Sequence, residues 1–152
     1  MRLDERDGRI IGALQSDGRL TNVELARKVG MSESSCLRRT RALEELGVIK
    51  GYAAVVDSKR AGYELIAFLM VDLDQRRETD AKAFFDLCRK DPRVVECVAV
   101  TGSHDVVLKV VVRDIEELGN LTMTSMLGLP SVLSVRSSIA VKNLKPMRAF
   151  SL

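Results

Sequence analysis

Apolar residues recur at helical spacing through the first fifty positions and at strand spacing beyond them. Ile10, Ile11 and Leu14 form one stripe, preceded by Asp4 with Asp7 three residues on, the arrangement of a capped helix start. Ser16-Asp17-Gly18 ends that helix. Thr21, with Glu24 at the capping-box position, opens a second helix whose Leu25, Ala26 and Val29 face inward and which Gly30 closes. Ser32 caps a third helix that runs to Gly47. Only Gly30-Met31-Ser32 separates the second and third helices. A short turn containing glycine between two capped helices is the signature of a helix-turn-helix.

After Gly47 the pattern changes. Val48 to Val56 is β-branched and aromatic and predicts an extended connector, which the polar run Asp57-Ser58-Lys59-Arg60-Ala61-Gly62 breaks. From Glu64 the elements alternate. Glu64–Leu73 reads as a strand, and Ala81, Phe84, Phe85 and Cys88 keep the spacing of an amphipathic helix over 79–90, stopped by Asp91-Pro92. Val94–Thr101 and Asp105–Val112 read as strands joined by the turn Gly102-Ser103-His104. Asp114 with Glu117 caps another helix, with Leu118, Leu121, Thr122 and Ser125 on one face, and Val132–Val141 is the last strand. Strand, helix, strand, strand, helix, strand is the split βαβ, ferredoxin-like order. The expected fold is α+β, with units at 1–50 and 63–152 joined by a hinge strand and linker over 51–62.

The first strand bears on assembly. Leu65, Ala67, Leu69 and Val71 alternate to one face, while Ile66, Phe68 and Met70 make the other face apolar too. Two helices cover only one face of such a sheet, so the second needs another cover, most simply a second copy of the chain. A homodimer is expected.

Composition narrows the class. Of 152 residues, 46% are hydrophobic and 30% charged, enough apolar content for real cores and too much for a disordered chain. No stretch approaches the roughly 18 apolar residues of a membrane helix, and charges at Arg2, Asp4, Glu5, Arg6 and Asp7 replace the apolar stretch of a signal peptide. A cytoplasmic location is expected. Cys36, Cys88 and Cys97 are odd in number and widely spaced, and read as reduced core thiols. Net charge is +3; residues 1–57 hold 10 basic and 9 acidic side chains and the remainder 14 and 12, so neither part is globally basic. Any nucleic-acid footprint must be local.

The third helix supplies one. At ~100° per residue, Cys36, Thr40, Leu43 and Gly47 fall toward the small core, and Ser34, Arg38, Arg41 and Glu45 fall opposite, flanked by Ser35 and Arg39. A recognition helix reads base edges from its N-terminal half and gathers phosphates with arginine and small hydroxyl side chains. Ser32, Ser34, Ser35, Arg38, Arg39 and Arg41 are therefore the candidate DNA-binding residues. The competing reading of the same face is a solvated charged surface on an ordinary helical hairpin.

Several segments together resemble the leucine-responsive regulatory protein/asparagine-regulator (Lrp/AsnC) family. They are Leu3-Asp4 with Ile10 and Leu14, Asp17-Gly18-Arg19, Asn22-Val23-Glu24-Leu25-Ala26, Val29-Gly30-Met31-Ser32, Cys36-Leu37-Arg38-Arg39, and Leu43 through Tyr52. Glu96-Cys97, Thr101-Gly102 and Asp105 continue the match in the second half. The resemblance implies a winged helix-turn-helix DNA-binding domain over 1–50, a hinge strand, and an amino-acid-sensing and oligomerisation domain over 63–152. It also implies dimers assembled into a ring of dimers, promoter DNA as a partner, and an amino acid or related metabolite as effector, with no cofactor.

The turn Thr101-Gly102-Ser103-His104-Asp105 matches the loop that, in the family, contributes to the effector site and usually reads Gly-Asp-aromatic-Asp. Gly102 permits positive φ and exposes backbone N–H groups suited to a carboxylate, and Asp105 suits an α-ammonium group. A plain hairpin turn, with Asp105 bonding local backbone, is the competing reading. Ser103 stands where the family has an acidic residue, which predicts preference for a neutral or acidic ligand side chain over lysine or arginine.

His104 is the only histidine. It adjoins Asp105, but neighbouring residues in a hairpin point to opposite sides, and no nucleophile motif, phosphate loop or metal-ligand spacing accompanies them. No catalytic residue and no metal ligand is assigned, and Met123 and Met126 read as core filler. Two function classes follow: a sequence-specific transcription regulator, or a metabolite-binding regulatory subunit whose N-terminal bundle docks a protein. The outward Ser34, Ser35, Arg38 and Arg41 separate them, since a docking bundle does not require that surface.

Overall fold

Helix starts in the N-terminal unit coincide with their capping side chains. In the computed structural model, which describes residues 3–74 and 78–145, α1 spans Glu5–Ser16, α2 Asn22–Val29 and α3 Glu33–Glu45. Asp4 accepts from the Arg6 and Asp7 backbone N–H groups while Asp7 accepts from Asp4 N, and Thr21 and Glu24 repeat the exchange at α2. Gly30 takes φ 68°, a left-handed turn open to glycine at little cost. Ile10, Ile11, Ala13, Leu25, Ala26, Val29, Cys36 and Leu43 form the core of this unit.

The chain divides between Val55 and Val56, within the expected segment 51–62, and again between Asn143 and Leu144, so that the second unit ends at Asn143 and not at the expected 152. Residues 1–2, 75–77 and 146–152 of the expected domains lie outside the described residues. The hinge strand expected over 51–62 does not form: no strand is assigned there. β-branched residues favour extended backbone, but a strand needs a ladder partner, and among the described residues 51–62 pair with no strand.

The second unit has β1 Leu65–Leu73, α4 Glu78–Lys90, β2 Val94–Ala99, β3 Val106–Val112, α5 Ile115–Gly119 with a π-helical continuation Asn120–Met126, and β4 Val132–Ile139. The strand order is β2-β3-β1-β4 with antiparallel pairs throughout, the arrangement expected of a split βαβ fold. Ala67, Leu69, Val71, Val106, Leu108, Val110 and Val112 bury one face against Phe84, Cys88, Leu118, Leu121 and Met126.

The π-helical segment alters one predicted face. With Leu127 N bonded to Thr122 O, five residues back, the turn carries one more residue than an α-helix. Met126, five residues after Leu121, is therefore buried, and Ser125 turns partly outward. The expectation for the methionines divides: Met126 is core and Met123 is exposed. That for the cysteines divides too, since Cys36 and Cys88 are buried free thiols and Cys97 is free but exposed on β2, an edge strand.

Candidate DNA interface and effector loop

α3 is held by contacts at its start and middle. Ser32 Oγ accepts from Ser35 N at 3.4 Å, and Asn22 Nδ2 donates to Glu33 O at 3.0 Å, which fastens the start of α2 to the start of α3. Cys36 and Leu43 are buried beneath the helix, while Ser34, Arg38, Arg41 and Glu45 are exposed on its outer side. The outer face can therefore meet a polyanion without disturbing the core. Ser32 is exposed but engaged as the cap, and Ser35 is half-buried.

Arg39, expected among the DNA contacts, is engaged within the domain. Its Nη1 lies 2.7 Å from Asp7 Oδ1 and its Nη2 2.9 Å from Asp4 Oδ2. The guanidinium fork thus bridges both carboxylates of the α1 capping box and ties α3 to α1. Asp7 is 3% exposed, and a carboxylate that far from water needs a counter-charge. The Asp7 backbone N–H, and with it Arg39, holds the Asp4 carboxyl below the usual range. Helical periodicity places Arg39 beside the outer face but carries no sign of a partner 32 residues upstream.

Midway along the connector, Tyr52 Oη donates to Glu44 Oε1 at 2.7 Å. Burial, and then the Glu44 carboxylate, push the Tyr52 hydroxyl up to about 12.

In the second unit the predicted effector loop joins β2 to β3. Gly102 has φ 124°, the positive range expected of it, and Thr101, Gly102 and Ser103 are exposed. His104 and Asp105 fold back onto β1. Asp105 N donates to Val71 O at 3.2 Å, and Asp105 Oδ2 accepts from Leu73 N at 2.8 Å, next to the β-bulge at Asp72/Leu73. The Asp105 N–H is therefore spent within the sheet and does not join a cradle for a carboxylate. His104 Nδ1 lies 2.8 Å from Asp72 Oδ1, and the Ser134 hydroxyl bonds the other oxygen of Asp72. Neither Asp72 nor Ser134 is singled out by any sequence motif.

Comparisons with known proteins agree with this geometry. Residues 3–50 match a winged helix-turn-helix DNA-binding family and residues 66–150 the Lrp/AsnC ligand binding domain. The chain belongs to the Lrp/AsnC family. It is 37% identical to the transcriptional regulator AzlB of Bacillus subtilis over 94% of this chain and 91% of that one. It is 38% identical to the leucine-responsive regulatory protein of Rhizobium meliloti, over 94% and 92%. A crystal structure of a Neisseria meningitidis transcriptional regulator in complex with L-methionine superposes with a TM-score of 0.90 at 34% identity, covering 95% of this chain and 93% of that one.

As an Lrp/AsnC member the protein is a DNA-binding transcriptional regulator with a ligand-binding domain, and the protein-docking alternative gives way. The fold is α+β, a helix-turn-helix followed by the βαββαβ domain. Among the described residues, no helix is long and apolar enough to cross a membrane.

Proposed function

We propose that this regulator binds promoter DNA sequence-specifically through the outer face of α3 and does so in response to an amino acid held at the loop 101–105. The observation that carries the DNA reading is the pairing of exposed Arg38 and Arg41 with a buried Cys36/Leu43 underside on one capped helix. Ser34 and Ser35 supply hydroxyl contacts, Ser32 sets the helix start, and Arg39 positions α3. Arg38→Ala and Arg41→Ala are each expected to weaken binding by ~1 to 3 kcal/mol if they touch bases, or to lower the salt slope by about one if they touch phosphate. Titration of duplex DNA across a salt series decides this. A double variant with wild-type affinity and slope would remove α3 from the interface.

For the effector, the support is the matching ligand-binding family and the methionine bound by the Neisseria relative. Thr101, Gly102 and Ser103 present the exposed part of the loop, and His104 and Asp105 its anchored part. Asp105→Asn keeps an acceptor for Leu73 N but removes the charge that attracts an α-ammonium group. Amino-acid affinity measured by calorimetry should fall by ~1.5 to 3 kcal/mol. Binding unmoved by that substitution would place the ligand elsewhere.

We further read the active species as a homodimer closed over the uncovered sheet face, where Ile66, Phe68, Met70, Val98, Val107 and Val111 gather. Ile115, Met123 and Leu127 are exposed on the last helical segment, a second apolar surface that a ring of dimers would cover. DNA binding by 1–50 and sensing and assembly by 63–152, joined through 51–62, complete the proposal. A cytoplasmic location follows from that role.

A further inference from the structure

Asp72 on β1, His104 in the β2–β3 turn and Ser134 on β4 meet at one end of the uncovered sheet face. Hydrogen-bonding chemistry places their protons. An ionised carboxylate only accepts, and Asp72 is ionised: the Ser134 hydroxyl first, and His104 second, hold its carboxyl below the usual range. The hydroxyl must therefore donate to one oxygen, and His104 Nδ1 must carry the hydrogen it shares with the other. In a neutral ring, which has one N–H, that arrangement leaves Nε2 with a bare lone pair. A carboxylate partner commonly fixes a histidine tautomer in this way. The His104 side chain is 18% exposed and that of Asp72 26%, so the pair is partly shielded yet reachable.

We propose that Asp72, braced by Ser134, is a specificity-determining residue of the effector site: it fixes His104 as a hydrogen-bond acceptor at Nε2, so that the site takes a ligand with an uncharged donor there, a carboxamide rather than a carboxylate. This rests on the reading of 101–105 as the effector loop. A ligand carboxylate would meet the Nε2 lone pair and, behind it, the charge of Asp72. Its isosteric amide offers an N–H to the same lone pair, and a site built for a donor rejects the analogue that lacks one. Two other charges lie nearby. Asp105 bonds Leu73 N with its own carboxylate, and Arg136 on β4 acts on Asp72. Asp72 also corrects the charge expected at this loop. Ser103 is neutral, but a carboxylate from 32 residues upstream stands behind its neighbour, so an acidic ligand is disfavoured where the loop alone predicts that it is accepted.

Because His104 is the only histidine, nitrogen NMR of the ring-labelled full-length protein reads its tautomer without assignment. At pH 8 the expected pattern is a protonated Nδ1 and a bare Nε2, with Asp72→Asn shifting the ring toward a mixture of tautomers. A neutral ring protonated at Nε2, or an imidazolium at pH 8, overturns the proposal. Calorimetry at the same pH then compares asparagine with aspartate and glutamine with glutamate. The amide of the better-bound pair should bind roughly tenfold or more tightly than its acid. His104→Phe and, independently, Asp72→Asn should bring that pair within about twofold. Equal binding of both members by the unaltered protein, or preference for the acid, refutes the assignment. If Asp105→Asn still weakens binding in that case, the effector loop stands and only the role of Asp72 and His104 falls. Should none of the twenty amino acids bind, the effector-loop reading falls and carries the specificity with it.

Discussion

Replacing Phe68 or Met70 by aspartate is expected to convert the protein from a discrete oligomer into monomer or aggregate. Both side chains lie on the face of β1 turned away from the helices, and Phe68 is 40% exposed in the single chain although it sits mid-strand in the sheet. The opposite alternation, Ala67, Leu69 and Val71, is fully buried, so β1 has no further way to hide the second set. In the proposed two-fold dimer this face packs against its own copy. One substitution then buries two carboxylates, each opposed by apolar surface, at an effective penalty on the order of several kcal/mol per ion. The core on the helix side is untouched, so the monomer should keep its secondary structure. Light scattering with circular dichroism makes the measurement. Soluble oligomers of unaltered size from both variants would show that another surface makes the dimer.

The second large effect is expected at Arg39. Arg39→Ala leaves Asp7 buried with, among the described residues, the Asp4 backbone N–H as its remaining partner, and removes the bridge from α3 to α1. A loss of about 2 to 3 kcal/mol should follow, below the full penalty for a buried pair because the guanidinium is partly solvated. The thermal transition of the N-terminal unit should then fall by roughly 10 °C or more. Arg39→Lys should recover only part of it, since an ammonium lacks the planar fork that spans two carboxylates. Salt dependence separates this role from a DNA contact: measured well below the transition, the slope of DNA affinity against salt should stay unchanged. A slope lower by about one with an unaltered thermal transition would return Arg39 to the phosphate-binding set.

Acid should act on the same cluster. Asp4 has its carboxyl pKa lowered in the fold, so its contribution is complete above the ordinary carboxylate range and fades as the pH falls through the lowered value. Asp4→Asn should flatten the acid limb of unfolding.

Features set within a few residues were legible in the sequence. Asp4 with Asp7, Thr21 with Glu24, Ser32 with Ser35 and Asp114 with Glu117 each close a hydrogen bond over three residues, so the backbone itself places the partner. Helical and strand periodicity likewise divide Cys36 and Leu43 from Arg38 and Arg41, and Leu69 from Phe68. The π-helical turn escaped because nothing local announces an extra residue, and Ser125, expected on the buried face, turns partly outward there.

Only the tertiary structure decided what the shared side chains do. Arg39 finds Asp7, His104 finds Asp72, and Asp105 finds Leu73 N, each across 32 residues. Those pairings depend on how α3 lies on α1 and on the register that brings the β2–β3 turn over the end of β1. Register and helix placement are settled by the summed packing of both cores, and no single residue carries them in its neighbourhood. An arginine on a charged helix and a histidine in a turn therefore look free in the sequence, and the fold commits both to a carboxylate.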